Sequence, residues 1–152
     1  AKLKMRMDTI PVSLALAQAA NESGWGTSRF ALEGNALFGQ WTWSKKGISP
    51  KNKDPNQNHK ILQFQILKAS VKAYKNNLNT HSAYKEFREE RAKLRQDEKK
   101  IIGLLLTRYL KNYSAIGEKY TLSLENIIKA NSLTDFDKAN LLPRRMKVEI
   151  AL

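Results

Sequence analysis

Glu22 is the side chain whose type and position first indicate chemistry. From residue 9 to residue 85 the sequence has three acids, Glu22, Glu33 and Asp54, against ten Lys or Arg residues. Ala19 and Ala15 precede Glu22 by three and seven residues, so all three share one helix face. A carboxyl group on a buried face is partly desolvated, which raises its pKa and favours the neutral form that a general acid needs. The alternative is an ordinary polar residue in the last turn of a helix.

The sequence gives little support for other kinds of active site, for a membrane span or for a signal peptide. The chain of 152 residues has no cysteine, which excludes disulfides, thiolate metal sites and a cysteine nucleophile. His59 and His81 lack partners at metal-ligand spacing, so we expect no metal site and no cofactor. A phosphate-binding glycine loop, a serine nucleophile motif, a membrane-spanning run and a signal peptide are not evident either.

The charge balance indicates an anionic partner. Lys and Arg number 27 against 14 acids, which gives a net charge of +13. Nucleic acid and an anionic polymer such as the bacterial cell wall are both candidates. We expect no nucleic-acid partner, because the sequence lacks arginine-rich stripes and a recognised nucleic-acid motif.

The hydrophobic pattern predicts one mostly helical domain over residues 1–152. A buried helix is expected at residues 12–23, ended by Gly24 and Gly26, with a short helical turn at 28–32. Residues 41–60 are rich in Lys, Asn, Ser and Pro and are typical of a loop or hairpin lobe, and residues 62–66 alternate as a short strand does. Helical spacing returns at residues 71–78, 84–94, 101–110 and 120–128.

Several stretches of the sequence together resemble a known family. The run AQAANESGWGTS at residues 17–28 and GNALFG at residues 34–39 resemble the signature of glycoside hydrolase family 73, the bacterial peptidoglycan N-acetylglucosaminidases. With QW at 40–41, YKNNLNTH at 74–81 and Tyr84, the chain is most similar to the Bax-type subgroup. The resemblance covers residues 10–133 and leaves 134–152 as a basic C-terminal extension. It implies a mainly α, lysozyme-like α+β fold in which a small hairpin or loop lobe flanks a cleft.

The resemblance also implies roles for individual residues. Glu22 matches the catalytic general acid of the family, and Tyr113 and Tyr120 match the two tyrosines of its C-terminal helical motif. Tyr120 resembles the tyrosine that faces the acid across the cleft, although a core aromatic on an amphipathic helix is the alternative. Asp54 is the candidate second carboxylate in the lobe. A plain turn at residues 53–56 is the favoured alternative for it, and the 2-acetamido group of the substrate could act instead of a second carboxylate.

Substrate contacts are predicted for four side chains: Trp41, Phe38, Tyr113 and Ser23. An exposed indole such as Trp41 stacks on sugar rings, and Phe38 is expected on the cleft floor. Trp43 could contact sugar or close the lobe onto the core. Trp25 is expected to be buried and structural, and Glu33 is expected to stabilise the turn that follows it.

The sequence thus predicts a monomeric endo-β-N-acetylglucosaminidase with Glu22 as general acid. Its partner would be peptidoglycan or another N-acetylglucosamine-containing polysaccharide, and this substrate class implies the cell envelope, either periplasmic or extracellular. Two alternatives remain. One is a lytic transglycosylase with the same fold, and the other is a non-catalytic module that binds cell-wall glycan or nucleic acid.

Overall fold

A computed structural model of the protein describes residues 2–44, 47–50, 59–97 and 99–139. Asp54, the predicted second carboxylate, therefore lies outside the described residues. The helices are α1 (Lys2–Met7), α2 (Val12–Ser23), α3 (Arg29–Gly34), α4 (Leu67–Thr80), α5 (Lys85–Gln96), α6 (Gly103–Leu106) and α7 (Glu118–Ala130). The strands are β1 (Trp41–Thr42), β2 (Gly47–Ile48) and β3 (Lys60–Leu62), and short 3-10 helices span Ser82–Tyr84, Thr107–Tyr113 and Leu133–Lys138. The predicted mainly α fold with a small β lobe is confirmed.

Helix α2 lies at the centre of the core and has the predicted bounds. Leu14 and Ala17 are completely buried on it. It ends at Gly24, whose backbone adopts the left-handed conformation (φ 57°) and whose N–H bonds the Ala20 carbonyl, a geometry that glycine adopts without strain. Helix α6 packs directly on the start of α2, since a Cβ on Gly103 would lie 2.6 Å from the backbone nitrogen of Leu14.

The small sheet forms the predicted lobe beside the helices. Its strand order is β1-β3-β2 with both pairs antiparallel, and Ile61 of β3 lies opposite Trp41 on one side and Ile48 on the other. The expected strand at 62–66 was wrong in position, because pairing ends at Leu62. Each partner strand offers only two residues, and the Phe64 N–H instead donates to the Gly34 carbonyl.

The expected helix at 101–110 is two shorter pieces. Helix α6 ends at Leu106, and the 3-10 segment that follows contains Leu110 in a non-helical conformation (φ −106°, ψ 16°). Leu106 and Leu110 are both completely buried, so the kink lets both apolar side chains enter the core with those of α5 and α7. The kink also directs residues 111–115 toward the cleft.

The last 3-10 helix anchors the beginning of α2. Pro11 precedes α2 and provides no side-chain cap. The carboxylate of Asp137 accepts hydrogen bonds from the backbone N–H of Ser13 (2.8 Å), its hydroxyl (2.7 Å) and the N–H of Gly103 (2.9 Å). The two N–H groups are first-turn donors that the helices themselves leave unpaired. The first residues of the predicted C-terminal extension thus pack on the core, and residues 140–152 lie outside the described part of the chain. No helix in the described ranges is long and apolar enough to cross a membrane.

Candidate active site

Glu22 lies in the last turn of α2, and its half-buried carboxyl group faces a cleft of about 970 Å³. One part of the cleft wall consists of residues 38–41 and Trp43, which lead into the small sheet. Residues 111–115, at the end of the second 3-10 helix, form another part. The remaining lining comes from Asn77, His81, Tyr84, Gly117 and Glu118. The cleft is therefore built by the helical core and the β lobe together.

The surroundings of Glu22 favour its protonated form. Burial raises the pKa of the Glu22 carboxyl, and hydrogen bonds from the side chains of Tyr120 and Asn21 lower it by a smaller amount, so that the net shift is upward. Asn21 is itself oriented by Ser123, whose hydroxyl donates to its amide oxygen over 3.1 Å. A carboxyl group with a raised pKa keeps its proton to higher pH than an ordinary glutamate does, so it is better able to donate that proton to a leaving group.

Tyr120, on α7, is the nearest functional partner of Glu22. Its oxygen accepts a hydrogen bond from Gln18 Nε2 at 2.9 Å, and its side chain is also hydrogen-bonded to Glu22. Burial, followed by the charge of Glu22, raises the pKa of the Tyr120 phenol far above its ordinary value. The hydroxyl therefore keeps its proton and can donate a hydrogen bond to Glu22 when Glu22 is ionised.

Tyr113 contacts both Tyr120 and the backbone of Phe38. The two tyrosine rings stack in parallel with centroids 5.7 Å apart. The Tyr113 hydroxyl donates to the Phe38 carbonyl over 2.9 Å. Phe38 is buried and its ring stacks on Tyr74 at 3.9 Å, where it forms part of the cleft floor. Tyr113 therefore lines the cleft, whereas Tyr120 is buried behind Glu22 and is not part of the cleft wall.

Gly39 gives the Glu22 carboxyl group its space. It has a left-handed backbone (φ 57°), and a Cβ at this position would lie 2.8 Å from Glu22 Oε2. Any side chain would therefore displace the carboxyl group as well as strain the backbone. Gly39 was not predicted to have a role of its own, although its place in the GNALFG run is a signal that could have identified it.

Two tryptophans line the cleft with largely exposed rings. Trp41 is 59% exposed and Trp43 is 74% exposed. The Trp41 ring stacks on His59 at 4.0 Å. Trp25, in contrast, is 63% exposed but does not line the cleft, so the expectation that it is buried was wrong. The reason is local, since residues 24–26 all have positive φ angles and turn the chain away from the core at that point.

Three further residues considered in the sequence, Ser23, Glu33 and His81, have no catalytic partner in the described structure. Ser23 is buried and does not line the cleft; its hydroxyl donates to the Ala19 carbonyl (2.5 Å) and accepts from the Gly26 N–H (2.8 Å), which assigns it to the turn rather than to substrate contact. Glu33 pairs with Arg29 at 3.2 Å on the surface of α3. His81 lines the cleft without neighbours that could share a metal ion, and within the described ranges no three His, Asp or Glu side chains cluster as metal ligands do.

Comparison with known proteins gives a match over most of the chain. The sequence model of the glucosaminidase family, described as mannosyl-glycoprotein endo-beta-N-acetylglucosaminidase, matches residues 1–133. The chain belongs to the glucosaminidase family. Protein bax of Escherichia coli (strain K12) is 40% identical over 115 residues, which are 76% of this chain and 40% of that protein. The chain thus spans about two fifths of its relative's length, and no solved structure matches it significantly.

The family match and the similarity to Protein bax together identify a Bax-type domain of glycoside hydrolase family 73, as the sequence motifs predicted. Several residues around the acid of this glucosaminidase domain were not predicted to have a role: Gln18, Asn21, Gly39, Lys111 and Glu118. Gln18 precedes Glu22 by one helical turn, a spacing that could have flagged it. Glu118 and Lys111 are brought to the cleft by tertiary folding, so no local sequence pattern identifies them as cleft residues.

Proposed function

We propose that this glucosaminidase domain hydrolyses β-1,4 glycosidic bonds after N-acetylglucosamine in peptidoglycan or a related glycan. The observation that carries the proposal is Glu22, a carboxyl group with a raised pKa, half-buried at the edge of a cleft that two exposed indoles line. The family model names an endo-beta-N-acetylglucosaminidase, which agrees with this chemistry. The domain would then act where this polymer lies, in the cell envelope.

Glu22 performs the first proton transfer in the proposed reaction. Its carboxyl proton passes to the glycosidic oxygen as the bond from that oxygen to C1 of the sugar breaks, and the sugar becomes oxocarbenium-like. Glu22 is left as a carboxylate, which hydrogen bonds from Tyr120 and Asn21 stabilise. A water molecule then adds to C1, and its proton returns to the Glu22 carboxylate directly or through the group that assists the water, which restores the acid and yields a reducing N-acetylglucosamine end.

The group that assists water or stabilises C1 has three candidates. Asp54 is the sequence candidate, and Glu118 is a carboxylate that lines the cleft. The substrate's own 2-acetamido group is the third. Comparison of Asp54→Asn with Glu118→Gln separates them: a loss of about 100-fold or more in one variant identifies the carboxylate, and near-normal rates in both identify the acetamido route.

The basic surface suits an anionic wall polymer. The chain carries a net charge of +13, and Lys111 brings a positive charge to the cleft itself. Because exposed charges are screened by salt, binding to the polymer should weaken as ionic strength rises. We expect the domain to act as a monomer on this substrate.

Product analysis by mass spectrometry after digestion of purified peptidoglycan tests the proposal. Reducing N-acetylglucosamine ends are expected with the native chain, and they should form at least about 100-fold more slowly with Glu22→Gln. Anhydro-muramyl ends would instead indicate a lytic transglycosylase. Sedimentation of the protein with wall fragments that it never cuts would indicate a binding module, and cleavage at the native rate by Glu22→Gln would refute the assignment of the acid.

A further inference from the structure

A chain of buried side-chain hydrogen bonds leads from the core to Glu22. The Tyr74 hydroxyl donates to Gln18 Oε1 over 2.8 Å, and Gln18 Nε2 donates to the Tyr120 oxygen over 2.9 Å. Tyr120 is in turn hydrogen-bonded to Glu22. Gln18 is completely buried, and Tyr74 and Tyr120 are each about 1% exposed. These three residues come from α2, α4 and α7, so the chain of bonds exists only in the folded protein.

The direction of each bond in this chain follows from the donors available. A carboxylate has no proton to give, so the Tyr120 hydroxyl must donate to it. The Tyr120 oxygen then needs a donor of its own, and the amide nitrogen of Gln18 supplies one. This leaves the amide oxygen of Gln18 to accept, and the Tyr74 hydroxyl donates to it. Each group thus fixes the orientation of the next.

We propose that Gln18, oriented by Tyr74, is a positioning residue that turns the Tyr120 hydroxyl proton toward Glu22. Its effect is greatest when Glu22 has given its proton to the glycosidic oxygen and is left as a carboxylate. The proposal rests on the proposed function for its catalytic consequence. It adds two residues, Gln18 and Tyr74, of which neither lines the cleft.

A purely structural role does not account well for this arrangement. Gln18 is completely buried on the same helix as the core residues Leu14 and Ala17, and a buried amide is costly unless all its partners are in place. An apolar side chain of similar length would fill the same volume without that requirement. The presence of an amide at this position is explained if the direction of its hydrogen bonds affects Glu22, at the end of the hydrogen-bond series.

Tyr74→Phe is the sharpest variant, because it removes one hydroxyl and keeps the ring that stacks on Phe38. Without the Tyr74 donor, the Gln18 amide can rotate and offer its oxygen to Tyr120. The Tyr120 proton is then shared between Gln18 and Glu22, and the Glu22 carboxylate loses stabilisation. We expect the Glu22 pKa to rise above that of the native protein and kcat to fall about tenfold with little change in KM.

The matched control is Thr107→Val. Thr107 is also completely buried, and its hydroxyl contacts the Leu104 carbonyl and Glu125 Oε1 at 3.1 Å, away from the cleft. The Thr107→Val variant loses one buried hydroxyl, as Tyr74→Phe does. Should Tyr74→Phe fold poorly, Gln18→Met provides a second test. It removes the amide donor to the Tyr120 oxygen, so the Tyr120 hydroxyl donates less strongly to Glu22, and the Glu22 pKa and kcat should change in the same directions by a smaller amount.

The Glu22 pKa is read from the ¹³C carboxyl titration of the labelled full chain, with the signal assigned by its absence in Glu22→Gln. The other ionisable groups that interact with Glu22 or line its cleft are unchanged between the native chain and Tyr74→Phe: Tyr84, Tyr113, Tyr120, His81, Lys111 and Glu118. A difference in the titration therefore reports the hydrogen-bond chain.

This design distinguishes failure of the positioning role from failure of the proposed function. If Tyr74→Phe and Thr107→Val give the same Glu22 pKa and the same kcat, the positioning role is wrong. If the native chain cleaves no glycan, the proposed function fails, while the titration still decides whether Gln18 and Tyr74 control the hydroxyl of Tyr120.

Discussion

Glu22 in the cleft and Asp8 at the junction of α1 and α2 are both partly buried carboxylic acids, and their surroundings differ in kind. Asp8 accepts hydrogen bonds from Arg95 Nε (2.8 Å) and Nη2 (2.6 Å), and Arg91 Nε lies 3.6 Å from it. Burial alone would raise its pKa, but the Arg95 hydrogen bonds, the Thr9 N–H and the nearby Arg91 charge lower it. The partners of Glu22 are neutral, and its pKa is raised.

This difference separates a structural carboxylate from a reactive one. Arg91 is completely buried and also donates to the Thr9 and Met5 carbonyls, so the ionised Asp8 balances a charge that holds α1 on the core. A general acid in the same position would be useless, because it would not keep a proton near neutral pH. The chain carries many cations, yet an uncharged phenol and an amide are the groups that hydrogen-bond Glu22.

Activity should distinguish the two acids most strongly. Glu22→Gln removes the donated proton and should lower kcat by about 10²- to 10⁴-fold. Asp8→Asn should leave kcat within a few-fold of native, because Asp8 does not line the cleft. Release of soluble fragments from purified peptidoglycan measures both at a temperature where both variants are folded. Equal losses in the two variants would remove the functional side of the comparison.

Stability should distinguish them in the opposite sense. Asp8→Asn leaves the buried Arg91 charge without its counter-ion and should lower the free energy of unfolding by about 2 to 3 kcal/mol at neutral pH. The lowered Asp8 pKa means that this stabilisation is present above the ordinary aspartate pKa of 3.8 and is lost as pH falls through the folded-state value. Urea unfolding at pH 7 and pH 3 should therefore show a difference between variant and native chain that shrinks at the lower pH. A constant difference would assign the effect to packing.

Crowding Glu22 should impair the cleft without adding charge. Gly39→Ala would place a methyl group 2.8 Å from Glu22 Oε2 and should lower kcat about tenfold. Gly26→Ala is the control, because Gly26 also has a positive φ (79°) but has nothing within 4 Å of the added carbon. Both variants should lose about 1 kcal/mol of stability from backbone strain. Equal activity in the two would show that the carboxyl group moves aside freely.

Features set by residues close together in sequence could be predicted, whereas contacts between residues far apart in sequence could not. The bounds of α2 and the position of Glu22 at its end were predictable, because alanine spacing and the glycines that follow act within a few residues. The hydrogen-bond chain was not, because Tyr74 and Tyr120 lie 56 and 102 residues from Gln18 in sequence. Helix α1 was also missed. None of its residues is buried, and it depends on Arg91, which lies more than 80 residues later.

Burial was the property that the sequence predicted least well around the cleft. Trp25 was expected inside and is exposed, since three consecutive left-handed residues redirect the chain after α2. Ser23 was expected to contact substrate and instead completes the hydrogen bonds of that turn. The kink at Leu110 likewise results from fitting two leucines into the core, which the regular helical spacing of residues 101–110 did not indicate.

The smallest expected effect concerns the stability of the Glu22→Gln variant. Because the Glu22 pKa is raised in the folded state, the folded protein binds this proton more tightly than the unfolded chain, and ionisation of Glu22 costs native stability as pH rises above the ordinary glutamate pKa of 4.5. Glutamine removes that cost but keeps the size of the side chain. The melting temperature of Glu22→Gln should therefore equal that of the native chain near pH 4 and exceed it slightly at pH 8, the reverse of the Asp8→Asn pattern in sign. A variant that is less stable than the native chain at pH 8 would mean that the ionised Glu22 is paired as Asp8 is, and the distinction between the two acids would fail.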